Sequence, residues 1–411
     1  PITTSPELHE ITSGSGGKDL IETASNLGTN RHVECTDCHN PHRVIKNRLF
    51  NATPTVPDAA GSHNHAPTAA AHTNIASGVL RGSWGVEPNG WNSTTFGPTG
   101  LVTTYAVKRG NPPSGTTTAV AEPYVTREYQ VCLKCHSSYA YGANPPTLAV
   151  ATPSGTNGVT QYSDQAMEFQ SPNSMQGEAW GNHRSWHPVM NNTGRNETVR
   201  GTINKNNWLA PWANYLGTQT MYCSDCHGSS TGAATVVPTA NSSGQTVWGP
   251  HGSINNFILK GDWKSTTGSA ATNDICFKCH VSAAYTSNNN SRDTPYKSAF
   301  NDLGKPTNKS NNLHLYHVSR IGKIRCSWCH IAVPHGWKNR SFLVNLNAVG
   351  SEYGEADAVK SRLYNRSPYY LNAVLKVRTW PASAGWADTN CGSASSNGKS
   401  WMNSNDGCSG L

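Results

Sequence analysis

Apolar positions along the 411-residue chain come in short runs, separated by longer stretches of Gly, Pro, Ser, Thr and Asn. Three runs alternate as a half-buried strand does: LVTTYAVKR (101–109), PYVTREYQV (123–131) and YLNAVLKVRTW (370–380). That pattern predicts a few small strand pairs. The intervals are filled with turn chemistry, as in PTVPDAAGSHNHAPT, KRGNPPSGTTT, YGANPPTLAVATPSGTNG and PTANSSGQ. Helical signals are short and sit at cysteine pairs. The expected fold is mostly coil with short helices and few small β-strands.

Composition sharpens the problem of the core. Only 14% of residues are charged and 36% are hydrophobic, poor material for a large aliphatic interior. Thirteen tryptophans argue against disorder, because so many rings need something to pack on. Large flat cofactors would supply the missing core. The net charge of +8 comes from scattered residues without a Lys or Arg run, so no nucleic-acid surface is expected. No apolar run is long enough to span a bilayer. The opening PITTSPELHE is read as a mature form whose export signal was removed.

Ten of the twelve cysteines fall in five C-x-x-C pairs, each followed at once by histidine. They are CTDCH (Cys35, Cys38, His39), CLKCH (Cys132, Cys135, His136), CSDCH (Cys223, Cys226, His227), CFKCH (Cys276, Cys279, His280) and CSWCH (Cys326, Cys329, His330). This is the signature of covalent haem attachment. On one helical turn, positions i and i+3 share a face, so both sulfurs can reach the two vinyl groups of one porphyrin. The histidine at i+4 then serves as proximal iron ligand. Zinc and thioredoxin-like sites also use C-x-x-C, but neither requires a histidine after every pair. Five haem c groups are therefore expected, adding about ten propionate charges that bring the loaded protein near neutrality. Cys391 and Cys408 remain, and in an oxidising compartment they are expected to form a disulfide; two free thiols are the alternative.

Twelve further histidines could supply sixth ligands, whereas the chain has five methionines. Bis-histidine ligation gives low-spin iron closed to substrate. The distal candidates are His32, His42, His187, His251, His317 and His335. His251 lies between proline and glycine in WGPHGS, and His187 is stiffened by the next proline. His317 is preferred to His314 in LHLYHV. His42 and His335 follow their own motifs too closely to fold back and can serve a neighbouring haem. His9, His63, His65 and His72 are read as surface or structural residues. Trp186, Trp248, Trp328 and Trp337, near motifs or candidate ligands, are read as packing that fills an irregular core, with packing on porphyrin faces or a role as electron stepping stones as the alternative. The N-x-S/T sequons at Asn51, Asn92, Asn196 and Asn365 arise by chance in an Asn-rich chain.

The motifs start at 35, 132, 223, 276 and 326, too unevenly for a solenoid. Candidate segments are 1–115 with site 1, 116–240 with sites 2 and 3, 241–340 with sites 4 and 5, and the tail 341–411 with the disulfide. They could equally form one continuous body.

The stretches HVECTDCHNPH, MYCSDCH followed by GPHG, and CSWCHIAVPHGW resemble the multihaem c-type cytochromes of metal-respiring bacteria. Within that group are extracellular filament-forming, or nanowire, cytochromes. The resemblance implies a secreted electron-transfer protein on the outer cell surface or in the periplasm, self-association into a homopolymer, redox partner cytochromes and extracellular electron acceptors. It also implies that His42 crosses to a haem of the next subunit. A non-polymeric carrier is the first alternative. A multihaem nitrite or hydroxylamine reductase is the second, disfavoured because all five motifs end in histidine and spare histidines abound.

Overall fold

The computed structural model describes residues 7–9, 33–45, 74–89, 104–112, 117–142, 165–169, 187–190, 205–240, 242–243, 247–271, 273–288, 294–298, 300–301, 311–320, 325–326, 329–330, 335 and 340–343. Most of them lie outside helices and strands. The strands are β1 (Glu7–Leu8), β2 (Gly85–Asn89), β3 (Thr104–Lys108) and β4 (Gly252–Ser253). The helices are α1 (Cys35–Cys38), α2 (Glu128–Leu133), α3 (Ser138–Tyr141), α4 (Gln165–Glu168), α5 (Cys223–Cys226), α6 (Ala283–Thr286) and α7 (Leu313–Arg320). None is long and apolar enough to cross a membrane.

Within the alternating run 101–109, Thr104–Lys108 form strand β3, which pairs antiparallel with β2 from Gly85↔Lys108 to Asn89↔Thr104. The buried Lys108 ammonium donates to the carbonyls of Val120 (2.8 Å) and Glu122 (2.6 Å), tying β3 to the chain that leads into α2. From β2, the Glu87 carboxylate accepts from the Tyr129 hydroxyl (3.0 Å) and the Gln130 amide (2.7 Å) on α2.

The run 123–131 departs from its predicted strand. Arg127 makes one bridge with Ile75, and the chain turns helical at Glu128. The Gln130 side chain reaches back to accept from the backbone N–H groups of Thr126 (2.8 Å) and Arg127 (3.1 Å), satisfying donors that a helix start leaves free. The helix then puts Tyr129 and Leu133, four residues apart, into one apolar cluster with Val86, Trp212, Met221 and Trp248. Val131 joins Ala76, Tyr124 and Val125 in a second. Burial in two cores outweighs a local preference for extended chain. The run 370–380 lies outside the described residues, as do Cys391 and Cys408.

Among the described residues, buried polar side chains outnumber buried apolar ones. Such an interior is held by hydrogen bonds. Several cross the boundaries expected near 115 and 240: Lys108 to Val120, and Lys260 Nζ to the Val236 carbonyl (2.6 Å) with its ammonium 4.0 Å above the Trp248 ring.

Candidate metal centres

The five C-x-x-C-H segments close the same local turn. In each, the histidine N–H donates to the carbonyl of the first cysteine: His39 to Cys35 (2.9 Å), His136 to Cys132 (3.0 Å), His227 to Cys223 (3.0 Å), His280 to Cys276 (3.0 Å) and His330 to Cys326 (2.9 Å). Residues inside or just before the motif cap these turns. Asp37 accepts from Glu34 N (2.8 Å) and Asp225 from Tyr222 N (2.9 Å), while Asp274 accepts from Cys276 N (2.9 Å).

At three sites the ring of the motif histidine is anchored by a carbonyl. Nδ1 of His39 meets Val79 O (2.9 Å), that of His227 meets Phe257 O (2.7 Å), and that of His330 meets Ser341 O (2.6 Å). A carbonyl only accepts, so Nδ1 must carry the proton and Nε2 is left with its lone pair for a metal. Each acceptor is the middle residue of a three-residue 3-10 turn, at Gly78–Leu80, Asn256–Ile258 and Arg340–Phe342. Phe257 and Ser341 adopt left-handed backbone at φ 60° and 52°, a geometry that costs about 1–2 kcal/mol per non-glycine residue. At the fourth site, Nδ1 of His280 lies 3.5 Å from the Tyr285 hydroxyl, and the Tyr285 ring stands edge-on to His314 at 5.2 Å.

Four motif histidines face a second imidazole at nearly one spacing. The ring centres are 6.1 Å apart for His39–His251, 6.1 Å for His136–His9, 6.2 Å for His227–His335 and 6.2 Å for His330–His314. Two metal–nitrogen bonds of about 2 Å plus two half-rings of about 1 Å give about 6 Å, so each pair could hold one metal between its rings. Burial, followed by repulsion from neighbouring imidazoles, holds His136 and His314 down to about 3 and His227 down to about 4. His9, His251 and His330 are lowered mainly by burial. These rings are neutral at physiological pH, the form in which an imidazole binds a metal.

Of the six distal candidates, then, His251 and His335 face motif histidines. His187 lies against Phe342 at 4.9 Å, and His317 stacks on Phe300 at 5.3 Å with Nδ1 bonded to Leu313 O (2.6 Å). His42 is exposed beside site 1, and His32 lies outside the described residues. The sequence reading takes His9 as a surface or structural residue and prefers His317 to His314, whereas it is His9 and His314 whose rings lie against motif histidines. His314 is oriented by Asn312, whose side-chain oxygen lies 3.0 Å from its Nδ1. His9 is placed by β1, which pairs with β4 immediately after His251. The i, i+3 spacing of His314 and His317 puts both on one helix face without choosing between them, and nothing local marks His9. Gly249 is needed beside His251, since a Cβ there would stand 2.9 Å from the imidazole. Among the tryptophans named from the sequence, Trp248 is buried in the main cluster, and Trp186, Trp328 and Trp337 lie outside the described residues.

Neighbouring attachment turns touch in chain order. Lys134 of the second motif donates to Asp37 O of the first. Glu128, at the start of α2, accepts from Ser224 N (2.9 Å) and Ser224 Oγ (2.7 Å) of the third, and the Cys132 thiol is within hydrogen-bond reach of Cys223. Lys278 of the fourth motif donates to Thr231 O (3.0 Å), just beyond the third. Asp274 accepts from Ser265 N (3.0 Å), and Ser265 O accepts from Cys326 N (3.3 Å) of the fifth.

The residues could hold a covalently attached porphyrin, since each motif offers two sulfurs and an imidazole. Among the described residues, no group of three or more His, Cys, Asp or Glu converges to hold a metal. Burial pushes the thiols of Cys38 and Cys329 up to about 11 and those of Cys226 and Cys326 up to about 12, away from the thiolate form that zinc requires. Trp263 Nε1 and Ser229 Oγ are buried with no protein hydrogen-bond partner, and added carboxylates would satisfy such donors. Comparison with protein-family models, with curated proteins and with solved structures finds no match to this chain.

Proposed function

We propose that this chain is an electron-transfer protein that binds five haem c groups through bis-histidine centres. The observation that carries the reading is the set of four opposed imidazole pairs at 6.1–6.2 Å, each containing the histidine of a C-x-x-C-H turn. When bound, a haem supplies an iron that accepts and releases one electron. The chain contributes the rest. Its turns present two sulfurs and one imidazole on a single face. Its carbonyls hold the proximal rings with Nε2 free, and its distal histidines close the sixth position to substrate. Such a centre changes oxidation state with little rearrangement and offers no open site for catalysis. Serial contact of the five turns supports a path that runs in sequence order.

The same reading extends to assembly as a subunit of an extracellular filament. His42 is exposed next to site 1, where an imidazole can reach a neighbouring copy.

Mass spectrometry of the exported protein tests the centres directly, with five covalent haems expected; fewer haems, or zinc in their place, overturns them. Electron microscopy with a spin-state spectrum of the same sample tests the assembly. Thin filaments with wholly low-spin iron are expected, and His42→Ala should give dispersed particles with one high-spin haem. Dispersed His42→Ala particles with five low-spin haems overturn the role of His42.

A further inference from the structure

Two ten-residue segments, PHGSINNFIL (250–259) and PHGWKNRSFL (334–343), carry Pro, His, Gly, Asn and Leu at matching positions. Their backbones match where both are described. Phe257 and Ile258 are left-handed at φ 60° and 54°, and so are Ser341 and Phe342 at 52° and 57°. In each segment the carbonyl of the first left-handed residue accepts a hydrogen bond from a motif histidine, Phe257 from His227 (2.7 Å) and Ser341 from His330 (2.6 Å). In each, the histidine faces a different motif histidine, His251 facing His39 and His335 facing His227.

We infer that these segments are two copies of one clamp, each gripping two haem sites at once through a distal imidazole and a carbonyl on a proximal imidazole. The first copy spans sites 1 and 3, and the second spans sites 3 and 5. His227 is therefore held from both sides, at Nδ1 by the first copy and across the metal position by the second. The first copy holds a further ring, because the Pro250 carbonyl accepts from His9, which faces His136 of site 2. Left-handed non-glycine residues persist where surrounding contacts over-determine them, and here those contacts are the proximal imidazoles. A hydrogen bond from Nδ1–H makes an imidazole a stronger electron donor and tunes the metal it binds. Phe257 and Ser341 are thus positioning residues that act through their carbonyls.

The clamp rests on the five-haem reading, so the test first counts haems. Wild-type holoprotein with fewer than five haems fails that reading, not the clamp. With five attached, redox titration and low-spin electron paramagnetic resonance are compared for Phe257→Val, Ser341→Val and the matching glycine variants. Valine resists left-handed backbone and glycine adopts it freely. Each valine variant should shift one haem to more positive potential and change the low-spin signal of a second, and each glycine variant should restore both. His251→Ala covers the case in which the valine variants do not fold. It should open site 1 to high spin and also shift the potential of one other haem. A valine variant that disturbs one haem or none, a glycine variant as disruptive as its valine counterpart, or His251→Ala confined to a single haem would overturn the clamp.

Discussion

His9 lies beside His251 because β1 and β4 pair as Glu7↔Ser253 and Leu8↔Gly252, a register that continues to these two residues. The two rings face different motif histidines, His136 and His39. A ladder of two residue pairs thus brings together the rings that face His136 and His39, drawn from parts of the chain more than two hundred residues apart. His9→Ala is expected to convert one low-spin haem to high spin and leave the His39 site low-spin. A spectrum with all iron low-spin would remove His9 from the ligand set.

Site 5 offers a test between neighbours on one helix. His314 stands parallel to His330, with ring planes 15° apart, whereas His317 stacks on Phe300. His314→Ala should open one haem, and His317→Ala should leave the spin state unchanged. The reverse pattern in low-temperature resonance spectra would reassign the ligand.

Acid should act on stability through these rings. In an unfolded chain these imidazoles protonate near their ordinary value of 6.5, but in the folded chain His136 and His314 resist to about 3 and His227 to about 4. Below 6.5 the unfolded state binds more protons, so their contribution to stability is complete above 6.5 and is lost as pH falls to about 4 for His227 and about 3 for His136 and His314. The melting temperature should be flat just above 6.5 and fall steadily below it. A melting temperature unchanged between about pH 6.5 and about pH 4 would mean that the rings are open to water.

Glu128 should act with the opposite sign. Burial pushes its carboxyl up to about 7 and Asp225 adds to the rise, while the Ser224 hydrogen bonds and Lys260 lower it. Between its ordinary 4.5 and about 7 the folded state binds more protons, so stability falls as pH rises through that window. Glu128→Gln keeps an acceptor for Ser224 without the charge. It should gain on wild type by about 2 kcal/mol between pH 5 and pH 8, read by thermal melting. An equal offset at both pH values would exclude titration of Glu128 in that range.

Asp274 couples two sites through one carboxylate. It accepts from Cys276 N (2.9 Å), Ser265 N (3.0 Å) and Lys264 N (3.2 Å) while almost wholly buried. Asp274→Ala should destabilise the protein by about 2 kcal/mol, and Asp274→Asn by less, because the amide retains one acceptor. Equal melting of all three proteins would show the cap to be dispensable.

The attachment turns were legible because everything they need is local. Two sulfurs and an imidazole within five residues close one turn with one backbone bond, and all five motifs do so alike. The strand at Thr104–Lys108 was legible for the same reason, since a period of two is set by the pleat. At 123–131 the alternation misled, because the Gln130 cap and burial of Tyr129 and Leu133 in a shared core favour a helix over that span. His251 and His335 could be singled out by their proline–glycine setting. The choice of His314 over His317, and any role for His9, could not, since those positions depend on Asn312, Phe300 and the β1–β4 register. The sequence by itself determined which groups are available: five C-x-x-C turns, the five imidazoles that follow them and a surplus of others. Only the tertiary structure decided which imidazole faces which, because opposition at about 6 Å is a relation between distant segments, set by ladders and carbonyl anchors that leave no local periodicity to read.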